Sequence, residues 1–185
     1  MFDLDRFIAD CQVAVAQDSG TRAVREVVAR AVRVPEAVMA ALGAPQRAGL
    51  NVVFRSPEVT ILNVVWGPQM TIMPHNHHMW AVIGVYTGRE DNIFWRRLPA
   101  DAPRPIEAAG ASSLLSGDVC PLGPEIIHSV TNPVPRLTGA IHVYGGDFLV
   151  QEREEFDAET LREQPYDLVK ARRLFEDSNR LLQGA

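Results

Sequence analysis

The sequence contains little cysteine and no long hydrophobic run. Its two cysteines, Cys11 and Cys120, are far apart and follow no pairing pattern. We expect both to be free thiols, which suits a reducing compartment better than a disulfide framework. No apolar stretch approaches the ~20 residues of a membrane span, and charged residues such as Asp5 stand where a secretory signal needs an apolar core. We therefore expect a cytoplasmic protein with no membrane contact.

The sequence also has no block of basic residues. Its formal net charge is −5 over 185 residues, whereas a nucleic-acid-binding surface needs a basic face. We therefore expect no nucleic-acid partner. The length is that of one domain with a substantial core, because a chain of this size buries ~70% of its unfolded surface.

The apolar pattern divides the chain into three parts, which we expect to form a single domain over 1–185. Residues 1–48 have apolar side chains near every 3.6 positions, which predicts helices interrupted at Ser19-Gly20 and at the Pro35 that begins a third helix. Residues 50–150 change to short apolar runs separated by turn residues, which predicts an antiparallel sandwich or small barrel. Residues 151–185 return to a helical pattern, with Leu168, Val169, Leu174 and Phe175 expected to pack on the barrel.

All five histidines lie in the β-patterned middle of the chain. His75 and His77 are one residue apart, and side chains alternate between the two faces of a strand, so both point to the same side. This spacing suits two ligands of one metal ion. His78 points away in a regular strand, so we expect a turn or solvent role for it and leave it out of the site.

Two stretches of this region resemble the paired motifs of the cupin family. One runs from Gly67 to Gly88 and contains His75-x-His77; the other runs from Gly117 to Asn132 and contains His128. In cupins the first motif supplies two metal-binding histidines and the second supplies one. The resemblance implies a mainly β fold, a cupin double-stranded β-helix (jelly-roll barrel) with flanking N- and C-terminal helices. It also implies that His75, His77 and His128 bind a metal.

The chain lacks a carboxylate that many cupins use as a metal ligand, so it resembles one group of cupins more than the others. Cupins commonly have a glutamate four or five residues after the second histidine, where this chain has Ala81 and Val82. Within the cupins, the thiol dioxygenases, typified by cysteine dioxygenase, bind Fe(II) through three histidines. The segments around Trp66-Gly67, His75-Asn76-His77 and Ile141-His142-Val143-Tyr144 look like the corresponding parts of its bacterial relatives.

This resemblance implies an enzyme with one mononuclear non-haem Fe(II) as cofactor. Its partners would be O2 and a small thiol of the cysteine or 3-mercaptopropionate type, which becomes a sulfinate. Three neutral imidazoles leave the full charge on the metal, which favours a substrate that supplies an anionic ligand. A thiolate does so, because metal coordination deprotonates a thiol.

The same resemblance implies catalytic roles for His142 and Tyr144. The family sequence Ser-x-His-x-Tyr reads Ala140-x-His142-x-Tyr144 here, so the serine is absent. The Tyr144 hydroxyl, oriented by His142, would donate to bound oxygen or to the substrate; the alternative is an ordinary buried phenol–imidazole pair. The cysteine that some members cross-link to the tyrosine falls near Ala81, so no thioether is expected.

A substrate carboxylate needs a cationic anchor, and the resemblance places an arginine on the strand before the Trp-Gly turn. Arg55 is this candidate, since a guanidinium binds a carboxylate through two parallel hydrogen bonds. Arg96 and Arg97 are alternatives. Two other functions remain open: a metal-dependent cupin enzyme acting on a non-thiol substrate, favoured by Ala140, and a non-catalytic metal- or ligand-binding cupin.

Overall fold

The computed structural model describes residues 2–17 and 21–183 and contains four helices in that part of the chain. The helices are α1 (Leu4–Gln17), α2 (Arg22–Val32), α3 (Pro35–Leu42) and α4 (Leu168–Gln183). The predicted break at Ser19-Gly20 lies outside the described residues. None of these helices is long and apolar enough to cross a membrane.

Between α3 and α4 the described chain forms short strands, as the apolar pattern predicted. They are β1 (Gly49–Arg55), β2 (Thr60–Trp66), β3 (Thr71–His75), β4 (Ala81–Thr87), β5 (Arg89–Arg97), β6 (Ile106–Leu115), β7 (Val119–Leu122), β8 (Ile127–Thr131), β9 (Thr138–Tyr144), β10 (Glu154–Phe156) and β11 (Glu163–Pro165). The turn between β4 and β5 depends on Gly88, whose φ of 81° lies in the left-handed region that glycine adopts without strain.

The strands form two antiparallel sheets, one in the order β1-β2-β9-β4-β7 and one in the order β11-β10-β3-β8-β5-β6. Of the eight strands β2 to β9, the first sheet holds β2, β4, β7 and β9 and the second holds β3, β5, β6 and β8. Each sheet therefore contains strands distant in sequence as neighbours. This is the strand order of a jelly roll, or double-stranded β-helix. The predicted fold class, mainly β with flanking helices, is therefore confirmed.

Strands β2, β4 and β9 of the first sheet are buried on both faces, which explains their nearly continuous apolar sequences. Along β9, Ile141 and Val143 belong to the core beneath the N-terminal helices, whereas Ala140 and Tyr144 belong to the core inside the barrel. The N-terminal helices thus fix which residues of β9 face inward. Because the period is two, His142 must also face the interior.

Helix α4 covers the barrel beside Trp66. The rings of Phe175 and Trp66 stack at 5.4 Å between centroids. Asn179 bonds both the N–H and the C=O of Ala48, at 2.8 and 2.9 Å, just before β1. Phe175 therefore packs as expected, but Val169 does not, because 58% of its surface is exposed.

The expectation that residues 151–185 are helical is only partly correct, because β10 and β11 occupy 154–165. The segment contains Glu152, Glu154 and Glu155, so its sequence lacks the alternation of apolar and polar residues that predicts a strand. Strand β10 forms because it pairs with β3, although its own sequence has no strand pattern. Glu155 on β10 stands opposite His75 on β3, and its side chain is fully buried. Long-range contacts often override local sequence preference in this way.

Candidate metal centre

The three histidines predicted as metal ligands come together inside the barrel. His75 ends β3, His128 lies opposite it on β8, and His77 lies just beyond the end of β3. Their ring centroids are 4.7 to 5.0 Å apart. One nitrogen from each lies within 4.8 Å of the others, and all three side chains are buried. This arrangement could hold one metal ion.

Hydrogen bonds orient two of the three imidazoles. His75 Nδ1 lies 2.9 Å from the Met73 carbonyl oxygen, which can only accept, so His75 carries its proton on Nδ1. His128 Nδ1 lies 2.7 Å from Asn92 Oδ1. The Nε2 atoms remain for the metal, and those of His77 and His128 are 3.4 Å apart. Such outer contacts are typical of metal-binding histidines.

The electrostatics favour the neutral imidazole that a metal requires. Burial lowers the pKa of His75 from 6.5 to about 4. Burial, together with the neighbouring imidazoles, also holds the pKa of His77 and His128 well below 6.5. All three are therefore ready to bind at neutral pH. The donor set of three neutral nitrogens fits a divalent transition metal.

His142 and Tyr144 share the cavity with these histidines, and the Tyr144 hydroxyl lies 3.0 Å from His142 Nδ1. The Tyr144 ring meets the His77 ring edge-on at 5.1 Å. Burial raises the pKa of Tyr144 far above its usual value, so the phenol keeps its proton. Ala81 stands directly opposite Tyr144 on β4 and offers no sulfur for a thioether.

The cavity between these groups is small and contains no carboxylate among the described residues. Its volume is about 20 Å³, about the space that one water needs. Apart from the polar groups already named, its walls are apolar or aromatic: Leu50, Val64, Trp66, Ile72, Val130, Phe148 and Tyr166. Tyr166 also lines a larger open pocket of about 490 Å³ on its other side. Among the residues that line the cavity and the pocket, Tyr166 is the one they share.

The structure does not bring Arg55, predicted to bind a substrate carboxylate, to the cavity. Arg55 already forms two parallel hydrogen bonds with Asp147, at 2.8 and 2.9 Å, and 42% of its side chain is exposed. It does not line the cavity. The alternatives Arg96 and Arg97 likewise pair with surface carboxylates, those of Glu107 and Glu163.

A different arginine, Arg153, does not line the cavity but contacts two aromatic residues of its wall. It is only 7% exposed, and its guanidinium stacks on Phe148 and Tyr166, at 4.1 and 4.2 Å from the ring centroids. Its Nη1 donates to the Phe148 carbonyl, its buried Nε has no hydrogen-bond partner, and within the described chain it forms no ion pair. Its charge contributes to the lowered pKa of His75 and His77. Sequence reasoning missed it because Glu152 and Glu154 make it look like part of a solvated charge run.

A fully buried carboxylate, Glu90, was also missed. It accepts from the Trp66 indole at 2.7 Å and from Asn92 Nδ2 at 3.1 Å, and it lies 3.4 Å from His142 Nε2. Burial alone would raise the pKa of Glu90, but the bonds from His142, Asn92 and Trp66 outweigh it and lower the pKa. The signal in the sequence was the pair Glu90 and Asn92, polar residues two apart on the inward face of β5.

His78 lies outside the centre, as expected. It has a φ of 49° and its Nε2 lies 2.6 Å from Glu154 Oε2.

Asn132, the last residue of the second motif, has a structural role, because its amide bonds the carbonyls of Gly67 and Arg136.

Comparisons with known proteins found only distant similarity to solved structures. No protein-family model matches the chain. An RmlC-like cupin family protein from Methanocaldococcus jannaschii, which has a double-stranded β-helix fold, is 8% identical with a TM-score of 0.47, over 57% of this chain and 85% of its own. A Cupin 2 conserved barrel domain protein from Salinispora arenicola is 20% identical with a TM-score of 0.40, over 51% and 72%.

A chain from a structural study of DMSP lyases is 16% identical with a TM-score of 0.40, over 54% of this chain and 44% of its own. The strand order described above decides the architecture. The barrel is a double-stranded β-helix. This barrel places three buried histidines where they could hold a metal.

Proposed function

We propose that the protein is an Fe(II)-dependent thiol dioxygenase that converts a small mercaptocarboxylic acid and O2 to the sulfinic acid. The overall reaction adds both oxygen atoms to sulfur, and the thiol supplies all the electrons. The observation that carries this proposal is the composition of the centre: three buried, neutral histidines, a phenol–imidazole pair, and no carboxylate in the cavity walls that the structure describes.

The charges of the centre support an anionic substrate. With no carboxylate ligand, a bound divalent ion keeps its full charge in a buried place. Arg153 adds a second positive charge without an acidic partner among the described residues. Buried charge is costly unless it is compensated. A thiolate and a carboxylate on one small molecule would compensate both.

The residues of this chain would divide the work as follows. His75, His77 and His128 would hold the iron through Nε2, and bound Fe(II) would supply affinity for the thiolate sulfur and redox chemistry with O2. Arg153 would orient the carboxylate through its Nε–H. The apolar walls would exclude water, and Tyr144 with His142 would provide the polar contact at the reacting sulfur.

Access requires a movement, because a cavity of about 20 Å³ is too small for such a thiol. Tyr166 lines both the cavity and the pocket of about 490 Å³ that Arg153 also lines. A rotation of the Tyr166 side chain would join the two and bring the carboxylate to the guanidinium.

Oxygen uptake by anaerobically iron-loaded protein, screened over a panel of thiols, tests this proposal. We expect uptake with 3-mercaptopropionate or cysteine and much less with cysteamine, which has no carboxylate. A charge-assisted bond contributes roughly 1.5–3 kcal/mol, so Arg153→Ala should lower kcat/KM for the acid about 10–150-fold. It should change the value for cysteamine much less.

Arg55→Ala is the matched control, because Arg55 has an acidic partner and lies outside the cavity walls. It should leave the selectivity between the two thiols unchanged. An equal loss on both substrates in Arg153→Ala would show that Arg153 supports the fold and does not bind the carboxylate.

The size of the cavity favours one second candidate, a metal-binding cupin without a small-molecule substrate. Space for about one water suits an ion better than a thiol. Tight metal binding without thiol-dependent oxygen uptake would select this candidate.

A further inference from the structure

Behind the metal centre, Glu90 joins two chains of hydrogen bonds. One chain runs from Glu90 Oε2 through His142 to the Tyr144 hydroxyl, over distances of 3.4 and 3.0 Å. The other runs from Glu90 Oε1 through Asn92 to His128 Nδ1, over 3.1 and 2.7 Å. Every member is buried. Ala140, two residues before His142, supplies no hydroxyl to this network.

A carboxylate at the junction determines the direction of both chains. An ionised carboxylate only accepts hydrogen bonds, so Asn92 must present its amide nitrogen to Glu90 and its oxygen to His128. His128 must then carry its proton on Nδ1, which leaves Nε2 for a metal. By the same rule His142 presents Nε2–H to Glu90, and its Nδ1 accepts from Tyr144.

We propose that Glu90 is a positioning residue that selects the tautomers of His128 and His142. It thereby makes His128 competent to bind a metal through Nε2 and turns the Tyr144 proton toward His142. The Tyr144 oxygen then presents lone pairs to the cavity. This differs from the expected donation by Tyr144 to a ligand; the consequence for a thiol substrate rests on the proposed function.

Glu90→Gln has a definite expected effect, because Trp66 limits how a glutamine can sit. The indole N–H only donates, so the glutamine oxygen must stay where Oε2 accepts from Trp66. The new NH2 group then faces Asn92, and the Asn92 amide must reverse to accept from it. Asn92 would present its nitrogen to His128 Nδ1, which would move the His128 proton to Nε2.

The test is 15N NMR of histidine-labelled, metal-free protein, combined with a zinc competition titration. We expect Nδ1–H for His128 and Nε2–H for His142 in the unmodified protein. In Glu90→Gln we expect Nε2–H for His128 and a zinc affinity lower by roughly 10–100-fold, as for other outer contacts of metal ligands. Neither readout depends on turnover, so the outcome is independent of whether a thiol is oxidised.

Glu155→Gln is the matched control. Glu155 is also fully buried, and it bonds Lys170 and Gln164 instead of the histidine network. It should leave the tautomers of both His128 and His142 unchanged, because it contacts neither residue of the Glu90 network. An Nε2–H tautomer of His128 in the unmodified protein would overturn the proposal without any variant. So would a folded Glu90→Gln protein with unchanged tautomers and unchanged zinc affinity.

Discussion

His75, His77 and His128 differ from surface histidines in that burial keeps them neutral, with the pKa of each below 6.5. Their Nε2 atoms converge because outer groups bind Nδ1 of His75 and His128. These hydrogen bonds at Nδ1 leave Nε2 of His75 and His128 free to bind a metal.

Replacing any one of these three histidines by alanine should abolish stoichiometric metal binding and leave the fold largely formed, because each supplies one of three ligands. Metal content after dialysis, with circular dichroism, measures both. His78→Ala is the control and should retain the metal. Full iron occupancy in His128→Ala would refute the three-histidine assignment.

Tyr144→Phe should lower turnover on the order of 10², the size of effect that one positioned polar group in an active site commonly has. Metal and thiol binding should survive, because the hydroxyl contacts His142 and no metal ligand. Steady-state kinetics and a thiol titration measure this. An unchanged turnover number would assign Tyr144 to core packing.

Single site residues could be predicted from the sequence where their spacing along the chain places them on one face of a strand. His75, His77, His142 and Tyr144 were found because alternation within one strand places such residues on one face. The ion pair of Arg55 was not found, because its partner, Asp147, is 92 residues away. Such a pairing depends on tertiary contacts that no local pattern contains.

At the scale of elements, helix α2 holds the outer face of the first sheet and thereby fixes the inward face of the site strands. The contact is close at Gly84 on β4, where an added Cβ would overlap Val28 Cγ1 and lie 3.0 Å from Val32 Cγ1. The sequence predicted these helices from their periodicity. The sequence pattern did not predict β10 and β11. Strand β10 depends on pairing with β3, and β11 depends on pairing with β10.

Gly84→Ala should therefore destabilise the fold by about 1–3 kcal/mol, the usual cost of overpacking a core. Urea unfolding followed by circular dichroism measures the change. Gly110→Ala on β6 is the control, because an added Cβ there meets nothing within 4 Å. Equal stability of the two variants would show that α2 does not pack tightly on β4.

For the whole molecule, the buried centre couples stability to pH. The folded protein lowers the pKa of His75 to about 4, against about 6.5 in the unfolded chain. Between these values the unfolded state binds more protons, so stability is present above pH 6.5 and is lost as the pH falls toward 4. His77 and His128 shift in the same direction.

Metal-free protein should therefore melt at progressively lower temperature between pH 6.5 and 4, and His75→Gln should reduce this dependence. Thermal unfolding at several pH values measures it. An equal dependence in both proteins would show that other groups cause the acid sensitivity.

The fate of the oxygen atoms tests the central claim most directly. Iron-loaded protein is supplied with 18O2 and 3-mercaptopropionate or cysteine, and the product is analysed by mass spectrometry. We expect a sulfinate in which both oxygen atoms carry the label, formed only when iron is present. A disulfide as the sole product, or a sulfinate with label in only one oxygen, would contradict the assignment as a thiol dioxygenase.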